Sequence, residues 1–267
     1  MVEYQDRFVS VDGLKLHYVA WDGPADAPPL VLLHGVTGNA HQWDHFAPAF
    51  ANRFRPLAFD LRGFGDSEWS PDGKYESVDL AADLAGVFAD LQLRRAVIVG
   101  ASWGGLIGLM HAADHPESVS KLVLVDIGFE FSQPETAIPD RRWEFDSPAD
   151  LEQFERGVSK FPALWTIRPY IRHELREQAG KWARKTDPAF RQRWPFRNRA
   201  YWEYARQVRC PALLIRGAES LVLSPELAAR SAASIAGCRF VEVPHAGHSV
   251  HLDNPPAFEA ALRSFLT

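Results

Sequence analysis

The stretch Val97-Ile98-Val99-Gly100-Ala101-Ser102-Trp103-Gly104-Gly105 constrains the fold more than any other part of the chain. Three β-branched residues run into Gly-x-Ser-x-Gly, and Leu106, Ile107, Leu109 and Met110 follow as an apolar helix start. Strand, sharp turn and helix in that order are the setting of a nucleophile elbow, which lifts a serine at the end of a sheet. The glycines admit a strained turn around Ser102. The helix start behind it offers backbone N–H groups to developing negative charge. Ser102 is therefore the candidate nucleophile, against the plainer reading of a structural Gly/Ser turn.

The remaining pattern supplies a sheet for this elbow. Phe8–Val11 and Leu14–Val19 flank Asp12-Gly13, a hairpin with a two-residue turn. Leu30–Leu33 is a continuous apolar run, as expected of a strand buried on both faces. It stops at His34-Gly35-Val36-Thr37-Gly38, a loop at the carboxyl end of a buried strand, where ligand sites of open α/β sheets lie. The Val36 N–H can serve an oxyanion there. Trp43, Phe46, Ala47 and Phe50 follow at helical spacing, and Arg55–Asp60 is a further strand. Asp60 and Asp66 read as loop-fixing carboxylates. Val78, Leu80, Ala81, Leu84, Val87, Phe88 and Leu91 mark an amphipathic helix, and Leu122–Val125 is a strand ending at Asp126. Strand patterns resume at Pro211–Arg216 and Arg239–Val243. Alternation of strands and helices implies α/β architecture with a mostly parallel twisted sheet of about eight strands.

From Ile127 the pattern breaks. Residues 128–208 hold helical stretches and seven prolines, from Pro134 to Pro195, but no convincing strand. They read as a helical cap inserted between two parts of the core, 1–127 and 209–267. Composition sharpens this view of the cap. Residues 141–209 carry 16 basic and 9 acidic side chains, the rest of the chain 13 and 25. Trp143, Trp165, Trp182, Trp194 and Trp202 lie in the same basic segment. Solvated helix faces and a pocket for an anionic substrate both account for the charge; the tryptophans would equally suit an aromatic ester. The net charge of −5 and the lack of a nucleic-acid motif argue against nucleic acid. No apolar run is long enough to span a membrane, and the first residues lack the pattern of a signal peptide. Two cysteines, Cys210 and Cys238, are too few for a disulfide framework and read as small core residues, which suggests a cytoplasmic protein.

His34-Gly35, Asp60-Leu61-Arg62-Gly63-Phe64-Gly65-Asp66-Ser67, the elbow at Ser102 and Ala246-Gly247-His248 together resemble the α/β-hydrolase-fold superfamily over nearly the whole chain outside the cap. The resemblance implies a serine hydrolase with the chain order Ser…acid…His. His248 falls where the family's catalytic histidine lies. The acid departs from the commonest pattern. Relatives place Asp in the loop that here reads Gly217-Ala218-Glu219-Ser220-Leu221-Val222-Leu223, and Leu221 stands where it would be expected. Asp126, at the end of the strand after the elbow helix, is where a minority of the fold carries the acid; Glu219 is the alternative. That minority includes a cofactor-free hydrolase of an enamide dicarboxylate.

The resulting expectation is a Ser102–His248–Asp126 triad with the Val36 and Trp103 N–H groups as oxyanion hole. His34, Thr37 and Trp165 are candidate substrate contacts, and neither metal nor cofactor is needed. The substrate would be a small molecule carrying an ester, lactone or amide, and the protein a monomer or homodimer. A lyase or cofactor-free oxygenase using histidine as base, and a receptor with a slow triad, are the alternatives.

Overall fold

The computed structural model describes residues 3–131, 142–158, 161, 164–178, 180–191 and 199–267. The strands of its first half are β1 (Tyr4–Val11), β2 (Leu14–Trp21), β3 (Pro29–Leu33), β4 (Arg55–Phe59), β5 (Ala96–Ala101) and β6 (Val119–Val125). Three short strands, β7 (Glu144–Phe145), β8 (Leu175–Gln178) and β9 (Lys181–Arg184), precede β10 (Ala212–Gly217) and β11 (Arg239–Val243). Eight of them form one sheet in the order β1-β2-β4-β3-β5-β6-β10-β11. From β4 to β11 the neighbours are parallel, while the β1–β2 hairpin joins β4 antiparallel. This is the α/β-hydrolase fold. The hairpin turns at Asp12 (φ 47°) and Gly13 (φ 82°), two left-handed residues in a row, as a twist-matched two-residue turn requires.

The unbroken apolar runs become the sheet's centre: every residue of β3, β5 and β10 is buried. On one face lie α1 (Ser77–Asp90) and α2 (Trp103–Asp114), packing Leu80, Leu84, Leu106 and Met110 against the strands. The other face is covered by Trp43 and Phe46 together with Phe258 and Leu262 of the C-terminal helix.

Between β6 and β10 the chain leaves the sheet. The described part of this insertion contains α3 (Pro148–Val158), α4 (Leu164–Glu174) and α5 (Trp202–Gln207). It is not purely helical, which corrects the sequence reading: β7, β9 and β8 form a small antiparallel sheet. Leu175-Arg176-Glu177-Gln178 has one apolar residue in four, so it shows no period of two. Its pairing with β9 follows a reversal through Gly180 at φ 76°. Pro134, Pro139, Pro162, Trp194 and Pro195, singled out above, lie outside the described residues. After β10 come α6 (Pro225–Ala233), α7 (Val250–Asp253) and α8 (Pro255–Leu266). A second difference lies at Ala40–Phe50, where the apolar spacing suggests one helix. Two short 3-10 turns form instead, with Pro48 near the start of the second, where its missing N–H and fixed φ interrupt a continuous helix. Cys210 and Cys238 are free and half-buried rather than core residues.

Candidate active site

Register brings the candidate residues to one edge. Ala101 pairs with Val125 and Val125 with Ile215, so β5, β6 and β10 end side by side. The Ser102 N–H continues this ladder to the Val125 carbonyl (2.8 Å), and the Asp126 N–H to the Ile215 carbonyl (2.7 Å). Ser102 takes φ 49° and ψ −120°, a strained conformation for a residue with a side chain, and α2 begins at the next residue. The turn needs glycine beside it: a Cβ on Gly104 would stand 2.5 Å from the His34 carbonyl oxygen and 2.6 Å from that of Leu33. Trp103 is fully buried and its Nε1–H donates to Ser77 Oγ (2.9 Å), which fixes the start of α2.

Asp126, also left-handed at φ 50°, is wholly buried. Its Oδ1 accepts the Gly217 N–H (3.0 Å). Its Oδ2 accepts the Ser220 hydroxyl (2.6 Å) and lies 2.7 Å from His248 Nδ1. A buried carboxylate needs such donors, and here they fix both oxygens. With Nδ1–H donating to Asp126, the other ring nitrogen of His248 is left to act as a base. His248 is partly exposed, and the ring carbons of Phe161, from the insertion, lie 3.7 and 3.8 Å from where a side chain at Gly247 would sit.

Glu219, the alternative acid, is engaged elsewhere. It accepts the N–H groups of His245 (3.2 Å) and Ala246 (3.0 Å). The Ala246 bond, with that of His245 added and slight burial opposing, holds its carboxyl below the ordinary range. It braces the loop leading to His248. Leu221 is fully exposed at the surface.

The structure brings Gly35 of the His34–Gly38 loop against the serine: a Cβ there would be 3.1 Å from Ser102 Cβ. This sets Val36 and Trp103 on the elements flanking Ser102. His34 is not a substrate contact. It is completely buried, Nδ1 is 2.6 Å from the Gly35 carbonyl oxygen, and Nε2 accepts the Leu61 N–H (2.9 Å). Both ring nitrogens therefore tie the loop to the turn after β4, and burial holds the imidazole below its ordinary pKa, hence neutral. Thr37 is buried at φ 66° and turns its hydroxyl onto the Val36 carbonyl (2.5 Å). Trp165 stands 57% exposed on α4 with its ring edge on to His45.

Two positions of weight escaped the sequence reading. Ser220 shares Asp126 Oδ2 with His248 and also accepts the Val222 and Leu223 N–H groups (3.2 and 3.1 Å). A hydroxyl in a loop after a strand carries no signal until a buried carboxylate is placed beside it. Glu174 of α4 is buried, accepting Asn39 Nδ2 (3.2 Å) and Arg184 Nη1 (2.9 Å), and so ties the insertion to the segment after the His34–Gly38 loop. Burial, opposed by Arg184, raises its carboxyl to about 7.

Of the twelve cations described in residues 142–209, seven face acids: Arg142 with Asp150, Arg168 with Glu152, Lys181 with Asp146, Arg184 with Glu155 and Glu174, Lys185 with Asp66, Arg191 with Glu144 and Arg206 with Glu203. Among the described residues, His17, Asp60 and Asp66 form the group close enough to hold a metal ion. The Asp60 oxygens, however, already accept the Ala40 N–H (2.6 Å) and the Asp66 N–H (2.8 Å) and face His17 Nδ1 (2.7 Å), so Asp60 fixes loops.

A serine elbow and a histidine loop at the carboxyl edge of this sheet define the class, and the chain belongs to the alpha/beta hydrolase fold family, whose model matches residues 28–255. It is an α/β-fold hydrolase. It is 29% identical to the sn-1-specific diacylglycerol lipase ABHD11 of Mus musculus, over 95% of this chain and 85% of that one. It is 30% identical to the esterase Rv0045c of Mycobacterium tuberculosis, over 92% of this chain and 84% of that one. Among solved structures, E-2-(acetamidomethylene)succinate hydrolase superposes with a TM-score of 0.85 at 23% identity, covering 99% of both chains, a likeness of fold.

Proposed function

We propose that the protein is a serine hydrolase that cleaves a carboxylic ester, lactone or amide of a small molecule through an acyl-enzyme. The observation that carries this reading is the bond between fully buried Asp126 and His248 (2.7 Å), beside a serine in the elbow conformation. Ser102 Oγ attacks the carbonyl carbon while His248 Nε2 takes its proton. Asp126 holds the imidazole in the tautomer that can do so and stabilises the imidazolium. The Val36 and Trp103 N–H groups receive the oxyanion, each donor being worth about 3 kcal/mol in such sites. The tetrahedral intermediate collapses and His248 returns the proton to the leaving oxygen or nitrogen. Water, deprotonated by His248, then attacks the acyl carbon, and as the bond to Ser102 Oγ breaks His248 returns that proton to Oγ, restoring the hydroxyl. The lipase and esterase relatives support an ester as the bond cleaved.

Residues 128–208 would act as a cap over this edge, with Phe161 against the histidine loop. Hydrolysis of p-nitrophenyl acetate by wild type and Ser102→Ala tests the proposal, with mass spectrometry of a fluorophosphonate adduct. Turnover lost with Ser102→Ala and an adduct on Ser102 are expected. Turnover that survives Ser102→Ala would refute the acyl-enzyme and leave His248 as a base acting directly on water.

A further inference from the structure

The edge of the sheet opposite Ser102 carries a charge cluster that the hydrolase chemistry does not use. Arg53 in the turn before β4, Arg55 at the start of β4, Arg94 and Arg95 before β5, and Lys121 in β6 all line one cavity of about 680 Å3. The six residues of β5 separate this edge from Ser102, a rise of about 20 Å. None of the five cations has a carboxylate within ion-pair distance among the described residues. Arg55 Nε donates to the Ala27 carbonyl (3.0 Å), Lys121 Nζ donates to the Phe265 carbonyl (2.7 Å), and Arg53 lies over the Phe54 ring. Asp26, exposed, also lines the cavity.

This is unusual for the molecule. Its net charge is −5, and seven of the twelve cations described in residues 142–209 face acids. Cations gathered around a concavity repel one another until an anion sits among them. Guanidinium forks match phosphate oxygens two at a time. A neighbouring cavity of about 540 Å3 shares Gln92, Arg94 and Arg95 with the first and is also lined by His111.

We propose that this edge is a second binding site, for a small, multiply charged phosphate-bearing anion, with Arg94 and Arg95 as its central contacts. The site goes beyond the hydrolase reading and does not depend on it.

Titrating tripolyphosphate into the whole protein, followed by calorimetry, tests this. Saturable binding that weakens as salt rises is expected, since the contacts are partly exposed charges. The double variant Arg94→Gln/Arg95→Gln should weaken binding about 100-fold, roughly tenfold per lost charge-assisted contact. The pair Arg53→Gln/Lys121→Gln, on other elements, should weaken it about as much and serves if the first variant folds poorly. Phosphonylation at Ser102 should leave binding unchanged, which separates this site from the catalytic edge. Sedimentation with vesicles containing phosphatidic acid distinguishes the source of the phosphate. Binding to vesicles but not to tripolyphosphate, lost in the same variants, would assign a lipid headgroup. No binding to either probe, or binding that persists in both double variants, would overturn the proposal.

Discussion

Replacing Asp126 by asparagine probes the site through its own hydrogen bonds. Both carboxylate oxygens face donors: Oδ1 the Gly217 N–H, Oδ2 the Ser220 hydroxyl and His248 Nδ1. An amide must set its NH2 against one of these sides. The Gly217 N–H is backbone at the end of β10 and cannot turn away, so the amide oxygen takes that side and the NH2 faces His248. The imidazole can accommodate it only by accepting at Nδ1, which moves its proton to Nε2. In that tautomer His248 cannot take the proton of Ser102. The same substitution in the serine-protease triad lowers kcat about 10,000-fold by this route. A loss of at least about 1,000-fold in p-nitrophenyl acetate turnover is therefore expected, with a parallel fall in the rate of fluorophosphonate labelling. Glu219→Gln replaces one of the two oxygens that accept the His245 and Ala246 N–H groups with an NH2, but the side chain is exposed and water can take the freed N–H, so it should cost less than about fivefold. Circular dichroism and thermal unfolding would show that Asp126→Asn is folded. A folded Asp126→Asn within tenfold of wild type, or a larger loss in Glu219→Gln, would refute Asp126 as the acid.

Three further outcomes follow from the same contacts. Ser220→Ala removes a bond to a buried charge, worth about 1.5–3 kcal/mol, and should lower kcat/KM at least about tenfold with KM little changed. Ser220→Thr should restore most of the rate if the hydroxyl positions Asp126. Glu174→Ala leaves Arg184 buried with Glu155 as its remaining carboxylate and should cost about 3 kcal/mol in thermal unfolding. Joint replacement of Glu174 and Arg184 by leucine and methionine should be milder. Burial, with His115 adding to it, holds the His111 imidazole down to about 3, below its ordinary 6.5. The unfolded chain thus takes up that proton first as pH falls. The stability present above pH 6.5 declines below it, by about 2 kcal/mol at pH 5 for this group. Urea unfolding at both pH values should show that His111→Phe has a correspondingly smaller drop.

The fold was legible because its central strands are unbroken apolar runs and its elbow has a spacing few other structures require. Leu30–Leu33 and Val97–Ala101 are buried along their whole length, so no alternation blurs them. The small sheet of the insertion was not legible. Its strands are two to four residues long with only three of their ten residues buried, and the β8–β9 pairing depends on a glycine turn rather than on an apolar face. His34 was readable as part of a loop beside the site but not as a group with both nitrogens occupied. Its partners, Gly35 and Leu61, are backbone atoms, and one of them lies 27 residues away. Ser220 escaped for a similar reason: its importance comes from a carboxylate 94 residues earlier in the chain.

That long-range contact also bears on where the proposed triad would carry its acid. β6 and β10 are hydrogen-bonded neighbours with Val125 opposite Ile215, about 5 Å apart. A carboxylate at the end of either strand can therefore reach the same imidazole nitrogen. Placed after β10 it would sit on a loop and depend on that loop's order. Placed at Asp126 it is on the sheet edge itself, fully buried, and the loop after β10 is free to supply donors instead. Gly217 and Ser220 supply them here, at 3.0 and 2.6 Å. A leucine at 221 is then tolerated because its position no longer carries charge, and its side chain lies in solvent. An acid at either strand end would leave the direction of the Nδ1–H bond unchanged, which is what the proposed proton transfer from Ser102 to His248 needs.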